Sequence, residues 1–162
     1  MAVGFRLGVY VRASREAIAS AFREGFDAVF SEPSREVAAE ARDLGLLYAS
    51  VLWLPQTDRL ELGIIDAWGE RRLFAFNNSG CLLNPALLED SLARFESAVY
   101  DTMCDAVILD AVRYPSPHDG RLFYSCFCEH CCRFMEVLGV DPQALATQIK
   151  DCLLYTSPSP RD

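Results

Sequence analysis

LLYASVLWLP, residues Leu46 to Pro55, is a run of ten in which Ser50 is the one small polar side chain. A continuous apolar run of this length is of strand type, and Pro55 closes it. Upstream, the apolar period alternates between strand and helix. FRLGVYV (5–11) is rich in β-formers and is followed by Ser14, a helix N-cap. REAIASAFREG then sets Ile18, Ala21 and Phe22 on one helical face and stops at Gly25. DAVFSE (27–32) reads as a short buried strand. Ser34 opens the next helix, with Val37, Ala38, Ala41 and Leu44 on its stripe and Gly45 as its stop. The order βαβαβ predicts a parallel sheet covered by helices.

Downstream of Pro55 the rhythm breaks. Residues 56–83 hold a predicted hairpin, IIDAWGERRLFAF, around Gly69, then a polar turn NNSGC. So long an excursion at a strand end is functional or disordered as a rule, and its Trp68, Phe74 and Phe76 favour order. Asn84-Pro85 is an N-cap with proline at the first helical position. The helix it starts has Leu88, Leu92, Phe95 and Val99 as its expected buried stripe. A fourth strand follows at Ala106–Asp110, then a loop over 111–125, a short helix through Leu138 with Gly139 as its stop, and another helix from Asp141-Pro142. Four βα units suit a doubly wound open sheet or half of a (β/α)8 barrel. No GxGxxG or GxxxxGK loop follows any strand, which weakens the nucleotide-binding sheet. The expected fold is therefore α/β, the N-terminal half of a TIM barrel with about four βα units.

The last stretch, CLLYTSPSPRD (152–162), matches the translation of a sequencing adapter in one continuous frame. It is expected to be a disordered artefact, with 1–151 as the natural chain, one half of a barrel-type domain. Eight βα units need about 250 residues. A half-barrel exposes two sheet edges, so 1–151 alone is expected to be poorly soluble and inactive. The net charge of −8, from 23 acidic against 15 basic residues, argues against nucleic acid and anionic membrane as partners. No apolar run approaches the ~20 residues of a membrane span. The start, MAVGFRLGVYVRAS, lacks the long apolar core of a signal peptide. The expected location is the cytoplasm, where six natural cysteines favour thiols or metal ligands over disulfides.

Three of those cysteines lie in CFCEHC (126–131), and Cys132 extends the run. A structural zinc takes four soft ligands in a tetrahedron. Cys126, Cys128 and Cys131 have C-x-C-x-x-C spacing, which lets thiolates converge where a loop enters a helix. Cys81, in the loop after the third strand and so beside this one in a parallel barrel, is the candidate fourth ligand. Cys132 and His130 are fallbacks that the local geometry turns away. Plain buried thiols and a redox C-x-x-C at Cys128–Cys131 are the competing readings. A redox pair, however, opens the helix after the first strand of a βαβ unit and has no third cysteine beside it.

SGCLLNP before a helix, a strand ending in an acid, and CFCEHCCRFMEVLG together resemble the zinc-bearing barrel of the glycoside hydrolase family 42 β-galactosidases. VILDAVRYPSP also resembles the "LDxhRYP" strand of uncharacterised glycoside-hydrolase-like barrels. The similarity covers about 77–140. It implies a structural zinc on Cys81, Cys126, Cys128 and Cys131, a carbohydrate substrate and glycosidic bond hydrolysis. One departure is plain. In that clan strand four ends in Asn-Glu, the Glu being the general acid; here it ends Leu109-Asp110-Ala111, so the acid/base role does not transfer. The alternative is a non-catalytic, zinc-stabilised barrel that binds a carbohydrate or a protein partner.

Barrel active sites form at the carboxyl ends of strands, which makes Asp110 the candidate catalytic residue, as nucleophile or as acceptor for a sugar hydroxyl. A second carboxylate is expected on a later strand, beyond residue 151. Arg113 is placed to hold Asp110 ionised, or the two form an ion pair that braces the loop. Trp68 and Tyr114 are candidate sugar platforms and Glu32 a weaker candidate at the rim. Trp53 reads as core, and His118 and His130 as surface.

Overall fold

The computed structural model describes residues 7–75 and 78–156. Phe5, Arg6, Phe76 and residues 157–162, which carry parts of the expectations above, lie outside the described residues. In order, the elements are β1 (Gly8–Tyr10), α1 (Arg15–Arg23), β2 (Ala28–Ser31), α2 (Arg35–Asp43), β3 (Leu47–Trp53), β4 (Ile64–Ile65), β5 (Arg71–Arg72), α3 (Pro85–Thr102), β6 (Ala106–Asp110), α4 (Glu129–Val137) and α5 (Pro142–Thr156). The backbone of α5 includes Cys152 to Thr156, the first part of the segment set apart above. The chain divides into two compact units. One is Met1–Leu54 with Asp90–Val112; the other is Pro55–Glu89 with Arg113–Asp162.

The first unit is α/β, with a four-stranded parallel sheet in the order β1-β2-β3-β6. Its helices begin where the sequence puts their caps. The Ser14 hydroxyl accepts from the Ala17 N–H and the Ser34 hydroxyl from the Val37 N–H, each at 3.3 Å. Both helices stop at a glycine in the left-handed region, Gly25 (φ +85) and Gly45 (φ +75), where a Cβ would strain the turn. Their inner stripes close on the sheet: Ile18, Ala21, Val37, Ala38 and Ala41 pack with Val29, Leu46 and Tyr48. Full burial of a side chain such as Ile18 or Val29 contributes about 1.5–3 kcal/mol. β3 is the inner strand whose residues 48–52 are all buried, as an unbroken apolar run requires.

One expectation is corrected here. The expected stripe of α3 forms only in part: Phe95 packs half-buried against Leu52, Leu54 and Ala98, and Val99 is half-buried, but Leu88 and Leu92 do not face inward. Leu88 and Leu92 are 54 % and 55 % exposed, while Leu87, Ser91, Ala98 and Thr102 are buried. A polar contact turns the helix. The Thr102 hydroxyl lies 3.1 Å from the Ser50 hydroxyl of β3 and donates to the Ala98 carbonyl at 2.6 Å. Arg35 adds a pair with Asp101 at 2.9 Å. Hydrophobic periodicity does not register serines and threonines that face inward. β6 forms where expected and is apolar yet mostly exposed, with Leu109 at 51 %. It is the last strand of the sheet and pairs with β3 alone among the described residues.

In the second unit the expected hairpin forms. β4 pairs antiparallel with β5 through Ile64↔Arg72 and Ile65↔Arg71. Single bridges Gln56↔Ser79, Phe74↔Ser79 and Asp66↔Ser125 tie the excursion together. Its core is Ile64, Phe74, Cys81, Cys126, Cys128 and Cys131. The Asn84 side chain caps α3 by accepting from the Ala86 N–H at 3.1 Å, and Asp141 caps α5 by accepting from Gln143 N–H at 2.9 Å.

Candidate metal centre

Four cysteine sulfurs converge inside the second unit. Those of Cys81, Cys126, Cys128 and Cys131 all lie within 4.8 Å of one another, and all four residues are buried. Cys81–Cys128 and Cys81–Cys131 are 3.4 and 3.5 Å apart, sulfur to sulfur. A tetrahedral site with metal–sulfur bonds of about 2.3 Å has sulfurs about 3.8 Å apart, so the group is of the size a metal ion requires. Cys81, Cys126, Cys128 and Cys131 are not joined by disulfides.

Local structure explains the convergence. The Cys81 N–H donates to the Leu62 carbonyl at 2.9 Å, which holds its loop on the 60–63 turn. Phe127 N–H donates to the Ile65 carbonyl at 2.7 Å, and the Ile65 N–H points back at Cys126 Sγ at 3.4 Å. β4 thus clamps the start of the cysteine loop. Cys128 is the N-cap of α4, and Cys131 lies in the first turn. The positive end of a helix favours thiolates there. The Cys128 thiol is held well below the usual thiol range because Cys126, Cys131 and Cys81 all donate toward it. Cys126 is pushed up by its contacts with Cys128, Cys131 and Cys81 and by burial. A cation that binds such a cluster displaces the protons of its thiols.

The fallback ligands are turned away, as expected. Cys132 Sγ donates to the Phe127 carbonyl at 3.3 Å. His130 Nε2 lies 3.4 Å from Glu129 Oε1. Tyr114, a candidate sugar platform, packs half-buried against the cysteines, and its hydroxyl is 3.7 Å from Cys131 Sγ. Burial first, and then the contact with Cys131, push this phenol far up, so it stays protonated and able to donate. Such outer contacts orient metal ligands, and losing one costs about 10–100-fold in metal affinity. Tyr114→Phe is expected to weaken metal binding by that factor without unfolding the protein; competition with a chromophoric chelator measures it, and an unchanged affinity would make Tyr114 mere packing.

Asp110 is at the carboxyl end of β6 in the first unit. Its Oδ2 accepts from Trp53 Nε1 at 3.1 Å and its Oδ1 from the Ala111 N–H at 2.7 Å. Trp53 is therefore not plain core: it is half-buried and uses its indole N–H. Glu32 is exposed at the end of β2, and its carbonyl accepts from the Tyr48 hydroxyl at 3.1 Å. Arg113 belongs to the second unit and pairs with Asp119 at 3.2 Å.

Asp119 anchors the 113–125 loop. Burial pushes its carboxyl up, but the Ser116 N–H and hydroxyl (2.6 and 2.9 Å) and Arg113 outweigh this and hold it below the ordinary value of 3.8. A depressed folded value means the contribution is complete above that ordinary value and is lost as pH falls through the lower, folded one. Cleavage of this loop by an acid-tolerant protease is expected to rise below about pH 4 in the wild type. In Asp119→Asn it is expected at all pH values; equal cleavage in both would exclude this anchor.

Trp68 is half-buried beneath Arg121, whose guanidinium carbon lies 4.1 Å from the ring centroid. Sequence reasoning passed over Asp66, which is 2 % exposed and whose Oδ1 accepts from the N–H groups of Trp68 and Glu70 at 2.9 and 3.0 Å. The signal is there in Asp-x-x-Gly, an Asx-turn pattern. Among the described residues no helix is long and apolar enough to cross a membrane. No protein-family model matches the chain, and comparison with curated proteins returns no match.

Proposed function

We propose that Cys81, Cys126, Cys128 and Cys131 hold a structural zinc, and that the chain is the zinc-bearing first half of a (β/α)8 protein that hydrolyses glycosidic bonds. The convergence of four buried thiols within 4.8 Å carries the metal part of this reading. An all-sulfur tetrahedral set suits zinc or an iron–sulfur centre; the C-x-C-x-x-C loop resembling the family 42 pattern favours zinc. A closed set of four protein ligands leaves no position for substrate, so the metal braces the loops rather than reacting.

Support for the hydrolase part is the resemblance over 77–140 together with Asp110 at the carboxyl end of a parallel strand, where barrel enzymes keep their reacting groups. Trp53 orients this carboxyl through its Oδ2, and the substrate class is carbohydrate. The intact protein is assayed on a panel of aryl glycosides. Asp110→Asn, which keeps an acceptor for the Trp53 indole, is expected to lower turnover by roughly 10²–10⁴-fold with the circular dichroism unchanged. Equal turnover in wild type and variant would remove Asp110 from the mechanism.

One observation favours the non-catalytic alternative, a zinc-stabilised barrel that binds a sugar or a protein: both Asp110 oxygens are already engaged, by Trp53 and by Ala111. No turnover on any glycoside, with sugar binding retained, decides for it.

A further inference from the structure

A cleft of about 220 Å³ opens in the second unit between Asp66, Glu70, Arg72, Asp119, Arg121 and Leu122. A single water needs roughly 10–15 Å³ of such space, so the cleft has room for an organic molecule. Two of its groups are incompletely used. Asp66 is 2 % exposed, and its Oδ1 closes the 66–70 turn, but its Oδ2 has no hydrogen bond or ion pair among the described residues. Arg121 is stacked on Trp68 and forms no ion pair among the described residues. The neighbouring charges are already matched: Arg72 with Glu70, and Asp119 with Arg113 and Ser116. A buried carboxyl oxygen without a partner is rare in folded proteins and calls for one.

We infer that this cleft binds one sugar ring, through two adjacent hydroxyls bridging Asp66 Oδ2 and the Arg121 guanidinium. The chemistry of the two ends selects the ligand. Asp66 accepts and Arg121 donates, and a hydroxyl does both. A vicinal diol therefore satisfies both groups without a net charge. An anion would lie against Asp66, Glu70 and Asp119; an amine would lie against Arg72 and Arg121. Leu122 supplies an apolar patch for a ring's C–H face. The Asx turn preorganises the floor, because Asp66 is locked by its own backbone pairs with Gly69 and Glu70. The inferred contacts do not involve Asp110 and need no turnover there. The choice of a sugar over another neutral diol rests on the carbohydrate reading given above.

The test is a titration of the full chain with glucose, galactose, mannose, xylose and fucose. It reads the fluorescence of Trp68 in a Trp53→Phe background, since the chain has two tryptophans. Saturable quenching by at least one sugar is expected. Its affinity should fall roughly tenfold or more in Asp66→Asn, which turns the acceptor into a donor, and in Arg121→Gln. It should be unchanged in Asp110→Asn. No saturable change with any of the five sugars, or equal affinity in Asp66→Asn and Arg121→Gln, overturns the inference. So does affinity lost in Asp110→Asn and kept in Asp66→Asn. If Asp66→Asn does not fold, Arg121→Gln decides, because Arg121 is exposed. Binding that follows Asp66 and Arg121 while no glycoside is hydrolysed keeps this site and removes the hydrolase reading. Hydrolysis without binding at Trp68 does the reverse.

Discussion

Purified under reducing conditions from zinc-containing medium, the protein is expected to carry one zinc per chain, and stripping it with a strong chelator is expected to unfold the cysteine-bearing unit. The expected size of the effect follows from two contributions to stability. Structural zinc contributes about 10–16 kcal/mol at pH 7 in small zinc-dependent folds. The large apolar side chains buried in this unit, among them Ile64, Phe74 and Leu87, contribute about 1.5–3 kcal/mol each. A zinc held there would therefore stabilise the unit more than these three side chains do together. Cys81→Ser is expected to lower zinc affinity by more than the roughly 10–100-fold of an outer-shell change. Cys132→Ser, whose sulfur points at the Phe127 carbonyl, is expected to leave it intact. Elemental analysis after dialysis against a competing chelator reads both. Acid should release the metal, because binding needs all four thiols deprotonated. A folded wild type that holds no metal, or a Cys81→Ser variant that holds a full equivalent, would exclude the zinc brace. One equivalent of iron with a thiolate charge-transfer band would replace zinc by an iron centre.

Gly80→Ala is expected to destabilise the same unit and weaken metal binding without replacing a cysteine. A Cβ on Gly80 would lie 2.5 Å from the Leu62 carbonyl oxygen and 2.7 Å from Leu87 Cδ2. The first is backbone and cannot rotate away. It is also the acceptor for the Cys81 N–H at 2.9 Å, so relief of the clash displaces Cys81 itself. Overpacking of this kind costs about 1–3 kcal/mol, and the loss of metal affinity adds to it. The thermal melt and the zinc stoichiometry are measured together. A Tm within a degree of wild type with full zinc content would show that the loop yields without moving the thiol.

Much of this was legible in the residues. Ser14, Ser34, Asn84 and Asp141 start helices, and Gly25, Gly45 and Gly139 sit at their ends, because capping is a local matter decided within a few positions. Ile64 to Arg72 forms the hairpin around Gly69 as read. Cys126, Cys128 and Cys131 announce themselves by their C-x-C-x-x-C spacing. Their assembly depended on Cys81 coming in from another loop, a guess that topology supports and spacing alone does not.

Other features were not legible, and the reasons are physical. α3 looks inward-facing at Leu88 and Leu92 because periodicity weighs apolar residues only, whereas a hydroxyl pair between Thr102 and Ser50 sets its rotation. Arg113 invites a partner three residues away, but it finds Asp119, which the 113–125 loop folds back to meet it. Asp66 reads as a turn carboxylate, and nothing in its neighbours tells that it is 2 % exposed. Tyr114 has the look of a platform until its hydroxyl is seen against Cys131.

By itself, then, the order of residues determined the alternation of strands and helices, the places where helices start, and the chemical identity of the metal-binding group. Each of these follows from interactions within a turn or two, or from side-chain types that have few other uses. The tertiary structure alone decided which face of α3 is buried, which acid Arg113 holds, and that Asp66 and Arg121 line one cleft. Those outcomes join residues far apart in the chain, and they are set by how packed elements satisfy their polar groups, which no local pattern encodes.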